Sequence, residues 1–378
     1  MKKFKTAIVG VGFIGVAHIE ALRRLGNIEV VAICDQFDIE KKAKQLNVSH
    51  YYTDYKEMIE KEDLDFIHIC TPNNTHYDIA SYAMNKHINI VLEKPMTVTA
   101  EEAKKLLVLS KALNVTAAVN FHNRLYPATS HIKHMISNNQ IGHVFSIQGV
   151  YIQDWLLYQT DYSWRLNSKT SGKTRAVADI GSHWLDLMEY MTGQKIVEVL
   201  AEFQTVYPTR KKATQPLKTF ETASSEMTYD EMPIDTEDVA VITFKTNEGS
   251  LGNVYVSQMA AGKKNRIQLL ISGEKASIEW SLDDLSNISV GYRDQANKVI
   301  TKDQLLMPEV QSLIDYPTGH MEGFPDAFKQ NFKNIYYSST HPDALKRYAG
   351  FEDGLRQMVL NDKIYESAND RKWVKIDD

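Results

Sequence analysis

Two cysteines in 378 residues, Cys34 and Cys70, provide no disulfide framework, and neither has a neighbour at metal-ligand spacing. Both lie near the ends of apolar runs, so they read as buried, reduced thiols of a cytoplasmic protein, and no metal site is expected. Positive charge is not in excess. The 43 Lys+Arg against 48 Asp+Glu give a net charge of −5, which removes the electrostatic basis for nucleic-acid binding. No stretch approaches the roughly 20 apolar residues that cross a bilayer. The opening MKKFKTAIVGVG has the lysines of an export signal, but its apolar part is too short and runs straight into a glycine loop, so cleavage there would destroy the fold. Internal repeats and low-complexity tracts are also missing. What remains, 43% hydrophobic and 24% charged, is an ordinary soluble globular chain with room for about two domains.

The glycines that are present are concentrated where they carry information. Lys5–Gly10 is a short apolar run that reads as a buried strand, followed by Gly10-Val11-Gly12-Phe13-Ile14-Gly15 and a helical stretch, Val16–Leu25. That order suits a dinucleotide pyrophosphate. Gly10 permits the tight turn, Gly12 lets backbone approach the phosphates, Gly15 lets the helix pack on the strand, and the helix N-terminus offers N–H groups to the anion. A second strand, Ile28–Cys34, ends in Asp35, about twenty residues beyond Gly15. A carboxylate there accepts hydrogen bonds from ribose hydroxyls and repels a 2′-phosphate, which predicts NAD in preference to NADP.

Short apolar strands alternate with helices of about ten residues through residue 122, the pattern of a doubly wound parallel sheet, or Rossmann domain. Beyond 122, segments such as Leu251–Gln258 and Arg266–Ser272 alternate apolar and polar residues across turns such as Asn247-Glu248-Gly249. The expected architecture is therefore α/β: residues 1–122 a nucleotide-binding domain, and 123–378 an α+β domain with a large, open, mostly antiparallel sheet. A bare sheet face of that size calls for a partner copy, so a homodimer or homotetramer is expected. Thr209–Pro216 and Thr222–Glu237 read as polar surface excursions. A C-terminal helix over Ala344–Asn361 and a strand Trp373–Ile376 complete the second domain.

Ligands of such sheets bind beyond the strands' carboxyl ends, which selects Glu93-Lys94-Pro95 and Thr71-Pro72-Asn73-Asn74-Thr75-His76. Lys94 would point into the nucleotide crevice, and the Lys94–Pro95 peptide is a candidate for the cis form; a solvated lysine in a turn is the plainer reading. Thr71, Pro72, Asn73 and His76 would line the nicotinamide ribose, unless they only cap a helix. In the second domain, Trp184, Leu187, Met188 and Met191 form an apolar stripe at i, i+3, i+4, i+7. Beside it, Asp179, His183, Asp186 and Tyr190 recur at i, i+4, i+7, i+11, a stripe that is wholly ionisable or hydroxylated. A carboxylate next to an imidazole fixes its tautomer and prepares it to take a proton. Tyr151, Trp155, Tyr158, Tyr162 and Trp164, interspersed with Gln153, Asp154 and Arg165, suit a polyhydroxylated ring, or equally a core. His122, Arg124 and His320 are weaker candidates.

These residues in this order resemble the Gfo/Idh/MocA family of sugar and cyclitol oxidoreductases. The resemblance runs from the glycine loop and Glu93-Lys94-Pro95 through Asn120 to Pro127, Trp164-Arg165 and Asp179-x-Gly181-x-His183, to Glu352-Asp353-Gly354 and Trp373-Val374. It implies a catalytic set of Lys94, Asp179 and His183 in an NAD(P)-dependent dehydrogenase acting on a secondary alcohol of a sugar, sugar derivative or inositol. It also leaves two other readings in view: an NAD-retaining glycosidase that works by transient oxidation and elimination, and a non-enzymatic nucleotide sensor. One departure stands out. Where many members carry a glycine cluster before the catalytic Asp, this chain has Ser171-Gly172-Lys173-Thr174-Arg175-Ala176, whose added Lys173 and Arg175 could reach the substrate or a partner subunit, and their role is left open.

Overall fold

In the computed structural model, residues 2–214, 228–305 and 307–376 are described. They fall into two units: Met1–Leu125 with Gly323–Met358, and Tyr126–Glu322 with Val359–Asp378.

The first unit is a sheet of parallel strands β1 (Phe4–Val9), β2 (Ile28–Cys34), β3 (His50–Tyr52), β4 (Phe66–Ile69), β5 (Asn89–Leu92) and β6 (Ala117–Val119), ordered β6-β5-β4-β1-β2-β3. The central strands are buried on both faces, which is why β4 reads FIHI with no alternation. Strand order reverses at β1, whose neighbours are β2 and β4, so the ends of β1 and β4 bound the crevice where such sheets take ligands. Helix Ala100–Ala112 shows how local chemistry sets the boundaries: Thr99 and Glu102 form a reciprocal capping box at its start.

The domain division read from the sequence needs correction at its far end. Helix Phe324–Thr340, which sequence patterning did not bring out, belongs to the first unit, as does strand Ala349–Gly350, antiparallel on β6. The helix places Phe328 and Phe332 against His18, and Tyr336 on Phe66 at a ring separation of 4.0 Å. An apolar stripe shows that a helix has a buried face, but not which core takes it. Because Ala349–Gly350 extends the sheet, the C-terminal helix starts later than expected and spans Phe351–Asp370.

The second unit is built on a nine-stranded sheet. It contains β7 (Val144–Ile152), β8 (Ile196–Gln204), β11 (Val239–Thr246), β12 (Leu251–Ser257), β13 (Arg266–Gly273), β14 (Ser277–Ser281), β15 (Asp284–Gly291), β16 (Lys298–Ile300) and Val374–Lys375. Between β8 and β11, strands β9 (Thr209–Ala213) and β10 (Tyr229–Pro233) pair as a separate ribbon, so the two expected surface excursions are partly regular. Residues 215–216 and 222–227 of those excursions lie outside the described residues. Every pairing in the large sheet is antiparallel except β7 with β12. Helix Ser182–Thr192, buried along its whole length, is anchored by Trp184, whose indole N–H donates to the Gln268 carbonyl at 2.9 Å. Only glycine allows that contact: a Cβ on Gly149 would lie 2.5 Å from the Trp184 nitrogen. On the sheet, Phe145, Val241, Leu251 and Tyr255 are exposed.

Candidate active site

At the end of β1, Gly10 has φ +88°, and a Cβ there would lie 2.7 Å from the Cys70 carbonyl carbon. A Cβ on Gly15 would come within 2.0 Å of the Gly10 oxygen, so this glycine is needed for the helix to pack. Gly12 differs, since a Cβ there would meet nothing within 4 Å. It caps helix Phe13–Arg23 with no side-chain hydrogen bond and no acid in the first turn. Space over Gly12 beside a helix N-terminus of positive potential is what a pyrophosphate requires. Asp35 closes the other side. Its Oδ2 accepts from the Val11 amide at 2.8 Å and from Lys42 at 2.9 Å, and its Oδ1 accepts from Phe37 N at 3.1 Å. The carboxylate thus holds the glycine loop.

Beyond β5 the backbone turns through a cis Lys94–Pro95 peptide. Beneath it Glu93 is buried, accepting from Asn120 Nδ2 at 2.6 Å and from the Lys94 amide at 3.3 Å, with His18 Nε2 at 3.0 Å. Burial would raise this carboxyl, but the hydrogen bond and charge of His18, the charge of Lys94 and the Asn120 amide outweigh it and bring it down to about 2. Glu93 is therefore a brace under Lys94. His76 braces the same turn. It is fully buried, with Nδ1 3.0 Å from the Pro95 carbonyl and Nε2 2.9 Å from that of Thr71, so it ties the loop after β4 to the Lys94 turn. Thr71 accepts a hydrogen bond from Thr75 at 2.7 Å, and Pro72 leads into the single 3-10 turn Asn73–Thr75.

In the second unit, Asp179 lies in a π-helical turn, Val177–Gly181, that runs directly into helix Ser182–Thr192, so Asp179 precedes that helix instead of opening it. Such turns are rare and often occur at functional sites, because they re-aim side chains. Arg165 Nε lies 3.4 Å from Asp179 Oδ1, and Gln258 Nε2 donates to Oδ2 at 3.1 Å. His183, four residues on, is buried, with its ring 6.2 Å from that of Tyr151. Burial, then the charge of Asp179, push the Tyr151 phenol far above its ordinary value, so it is a neutral hydroxyl at any working pH.

The geometry gathers some candidates and separates others. Trp164 stacks under Arg165 at 4.7 Å, in one cluster with Asp179, whereas Trp155 and Tyr158 are exposed. Tyr190 leaves the ionisable stripe for a cation–π contact with Lys133 at 3.9 Å. Arg124 is engaged bidentately by Asp353, at 3.0 and 3.3 Å, within the first unit. His122 packs on Phe324 and Phe328, and burial lowers it to about 4. His320 is exposed and offers its carbonyl to Lys302. Arg175, whose role the sequence left open, is fully buried and ion-paired with Asp238. Lys173 lies over the Tyr365 ring at 5.5 Å. Sequence reasoning missed Gln258, because a glutamine one residue past a strand has no pattern. Among the described residues no group of three His, Cys, Asp or Glu is arranged to hold a metal, and no helix is long and apolar enough to cross a membrane.

A doubly wound sheet with a phosphate-ready glycine loop, together with a sheet domain that sets a half-buried carboxylate four residues before a buried histidine, fits a class of nucleotide-dependent oxidoreductase. The family model described as oxidoreductase family, NAD-binding Rossmann fold, matches residues 4–121, and that of the GFO/IDH/MocA C-terminal domain matches residues 129–279. The chain belongs to the GFO/IDH/MocA oxidoreductase family, and its first unit carries the NAD-binding Rossmann fold. It is 25% identical to levoglucosan dehydrogenase of Pseudarthrobacter phenanthrenivorans over 397 residues, covering 100% of this chain and 99% of that protein. An oxidoreductase domain protein from Kribbella flavida superposes with a TM-score of 0.88 at 25% identity, covering 100% of both chains. An inositol dehydrogenase homologue of Azotobacter vinelandii, solved with NAD+, shares the fold at TM-score 0.87 and 20% identity, covering 99% of this chain and 97% of that one.

Proposed function

We propose that this protein is an NAD-dependent dehydrogenase that oxidises a secondary alcohol of a sugar, sugar derivative or cyclitol. The observation that carries the reading is Asp179: a carboxylate held by Arg165 and Gln258, four residues before a buried histidine. Bound NAD supplies the hydride acceptor; Gly10, Gly12, Phe13, Ile14 and Gly15 would hold its pyrophosphate and Asp35 its ribose. His183 takes the hydroxyl proton, Asp179 orients His183 and a neighbouring substrate hydroxyl, and Lys94 hydrogen-bonds the reacting oxygen and favours its developing negative charge. Trp164, Arg165 and Tyr151 offer aromatic faces and polar edges of the kind a polyhydroxylated ring needs. A second copy of the chain is the proposed cover for the exposed Phe145, Val241, Leu251 and Tyr255, to be checked by light scattering of the purified protein.

The test is NADH formation by purified protein, given NAD or NADP with a panel of aldoses, anhydro sugars including levoglucosan, inositols and glycosides. Turnover of one polyol with NAD is the expected result. Strong preference for NADP would overturn the reading of Asp35. Glycoside cleavage without net NADH would replace the dehydrogenase reading with internal redox cycling.

A further inference from the structure

Behind Asp179 lies a buried charge system with no evident need for its complexity if packing were its only purpose. Asp238 is fully buried and takes both Arg175 and Arg210 on Oδ1, the latter at 2.7 Å, while its Oδ2 accepts the Val206 amide at 2.7 Å. Through its two terminal nitrogens Arg210 also donates to the carbonyls of Leu156, Tyr158 and Asp161. Glu237, also buried, accepts the amides of Arg175 and Val177 and so fixes the start of the π-helical turn. Arg175 directs its other arm to Gln258: Nη1 donates to Oε1 at 2.7 Å.

That contact settles which way the Gln258 amide faces. A guanidinium has no acceptor, so the glutamine must turn its oxygen to Arg175 and its NH2 away from it. The NH2 then meets Asp179 Oδ2 at 3.1 Å and, more weakly, Gln153 Oε1 at 3.5 Å. A donor that cannot flip bonds an ionised carboxylate more strongly than the neutral acid, and so favours the charged form. The amide is 1% exposed, so water does not compete for either end.

We propose that Gln258 is a positioning residue for the proton-transfer pair: locked by Arg175, its amide fixes one oxygen of Asp179 and keeps that group ionised beside His183. The proposal rests on the reading of Asp179 and His183 given above. Charged and titratable groups near Asp179 include Arg165 on its other oxygen, Tyr151 on β7, His183 four residues along the chain, and the Arg175–Asp238–Arg210–Glu237 cluster behind the amide.

Two variants test it. Gln258→Met keeps the shape but removes the donor. Gln258→Glu keeps an oxygen for Arg175 but sets a carboxylate against Asp179. With carboxyl-13C aspartate in the full chain, the Asp179 signal is assigned by its loss in Asp179→Asn, and its titration is followed in each protein. The midpoint should rise by about one pH unit in Gln258→Met, as expected for loss of one hydrogen bond to a charged group, and further in Gln258→Glu. Given a substrate, the acid limb of the kcat profile should move with it, and kcat should fall roughly tenfold while the KM for NAD stays put. Unchanged midpoints in both variants would overturn the proposal, and Gln258→Met alone decides if Gln258→Glu does not fold. The titration needs no turnover, so an absence of NADH with every alcohol would count against the proposed reaction and leave the Gln258 result readable.

Discussion

His18 and His68 meet nitrogen to nitrogen, Nδ1 to Nδ1 at 2.8 Å, so one of the two nitrogens carries a proton and the other does not. The chain on either side decides which. Thr6 gives its hydrogen to the Phe66 carbonyl, Tyr336 gives its own to Thr6, and His68 Nε2, 3.0 Å from Tyr336 Oη, must then be the donor. His68 Nδ1 is left to accept from His18, whose Nε2 also donates, to Glu93. The contacts from the Phe66 carbonyl to Glu93 each hold a hydrogen when His18 donates from both ring nitrogens and His68 is neutral; Asn120 Nδ2, 3.3 Å from His18 Nε2, then gives its hydrogen to Glu93 Oε1 instead. Burial, then the charge of His18, lower His68 far below its ordinary value, in agreement with this count. Histidine-selective 15N spectra should therefore show two protonated nitrogens on one buried ring and one on the other. Two neutral rings would refute the count. His18→Leu leaves Glu93 buried without its cation and should cost about 3–5 kcal/mol, read from urea unfolding.

Acidification should destabilise the fold well before its carboxylates protonate. His122 titrates near 6.5 when unfolded and is lowered to about 4 when folded, by burial first and then by the charge of Lys94. Between those values the unfolded chain binds more protons, so stability falls as pH drops through that window. His68 and His76 are lowered also and act in the same direction. Glu93, depressed from 4.5 to about 2, contributes stability that is present above its unfolded value and lost as pH falls toward 2. Urea midpoints should decline from about pH 6.5 to about pH 4 and the slope should lessen in His122→Phe. A flat profile over that range would be inconsistent with these buried neutral rings.

Two glycines two residues apart, Gly10 and Gly12, should behave oppositely. Gly10→Ala forces a Cβ into Cys70 backbone at a positive φ, and should lose about 1–2 kcal/mol from the dihedral alone, with the collision added. Gly12→Ala meets no protein atom, so its melting temperature should match the parent while NAD affinity drops. Calorimetry of both unfolding and NAD binding separates the cases, and a destabilised Gly12→Ala would contradict the open space above it.

His183→Ala should reduce turnover by about 10²–10⁴ while NAD binds as before. Titration of NAD into the variant checks the second half. Parent-like turnover would remove His183 from the reaction.

The nucleotide half was legible in the sequence because glycine has few substitutes: Gly10 and Gly15 are required by a collision and Gly10 also by a positive φ, and such requirements leave a spacing. The apolar strands β1, β2, β4 and β5 were legible for a related reason, burial on both faces. Asp179 and His183 were visible as a polar stripe, although the π-helical turn that carries Asp179 was not, since one extra residue per turn alters no residue type. Gln258, Asp238 and Glu237 were invisible, because their meaning comes from partners tens of residues away. The role of Arg175 was open for the same reason: a charge in a loop sequence gives no sign of the two buried acids around it. Helix Phe324–Thr340 shows the same limit at the scale of an element.

That helix and strand Ala349–Gly350 bear on how such a protein can be recombined. Phe328, Phe332 and Tyr336 pack on His18, Phe66 and Phe4, and Tyr336 completes the hydrogen-bond chain that starts at Glu93. A cassette cut after residue 125 would take the glycine loop, Asp35 and Lys94 but leave behind part of the wall they rest on. A chimera that exchanges nucleotide halves between relatives has to graft two separate stretches of gene together, and libraries with a single crossover will be depleted of folded members.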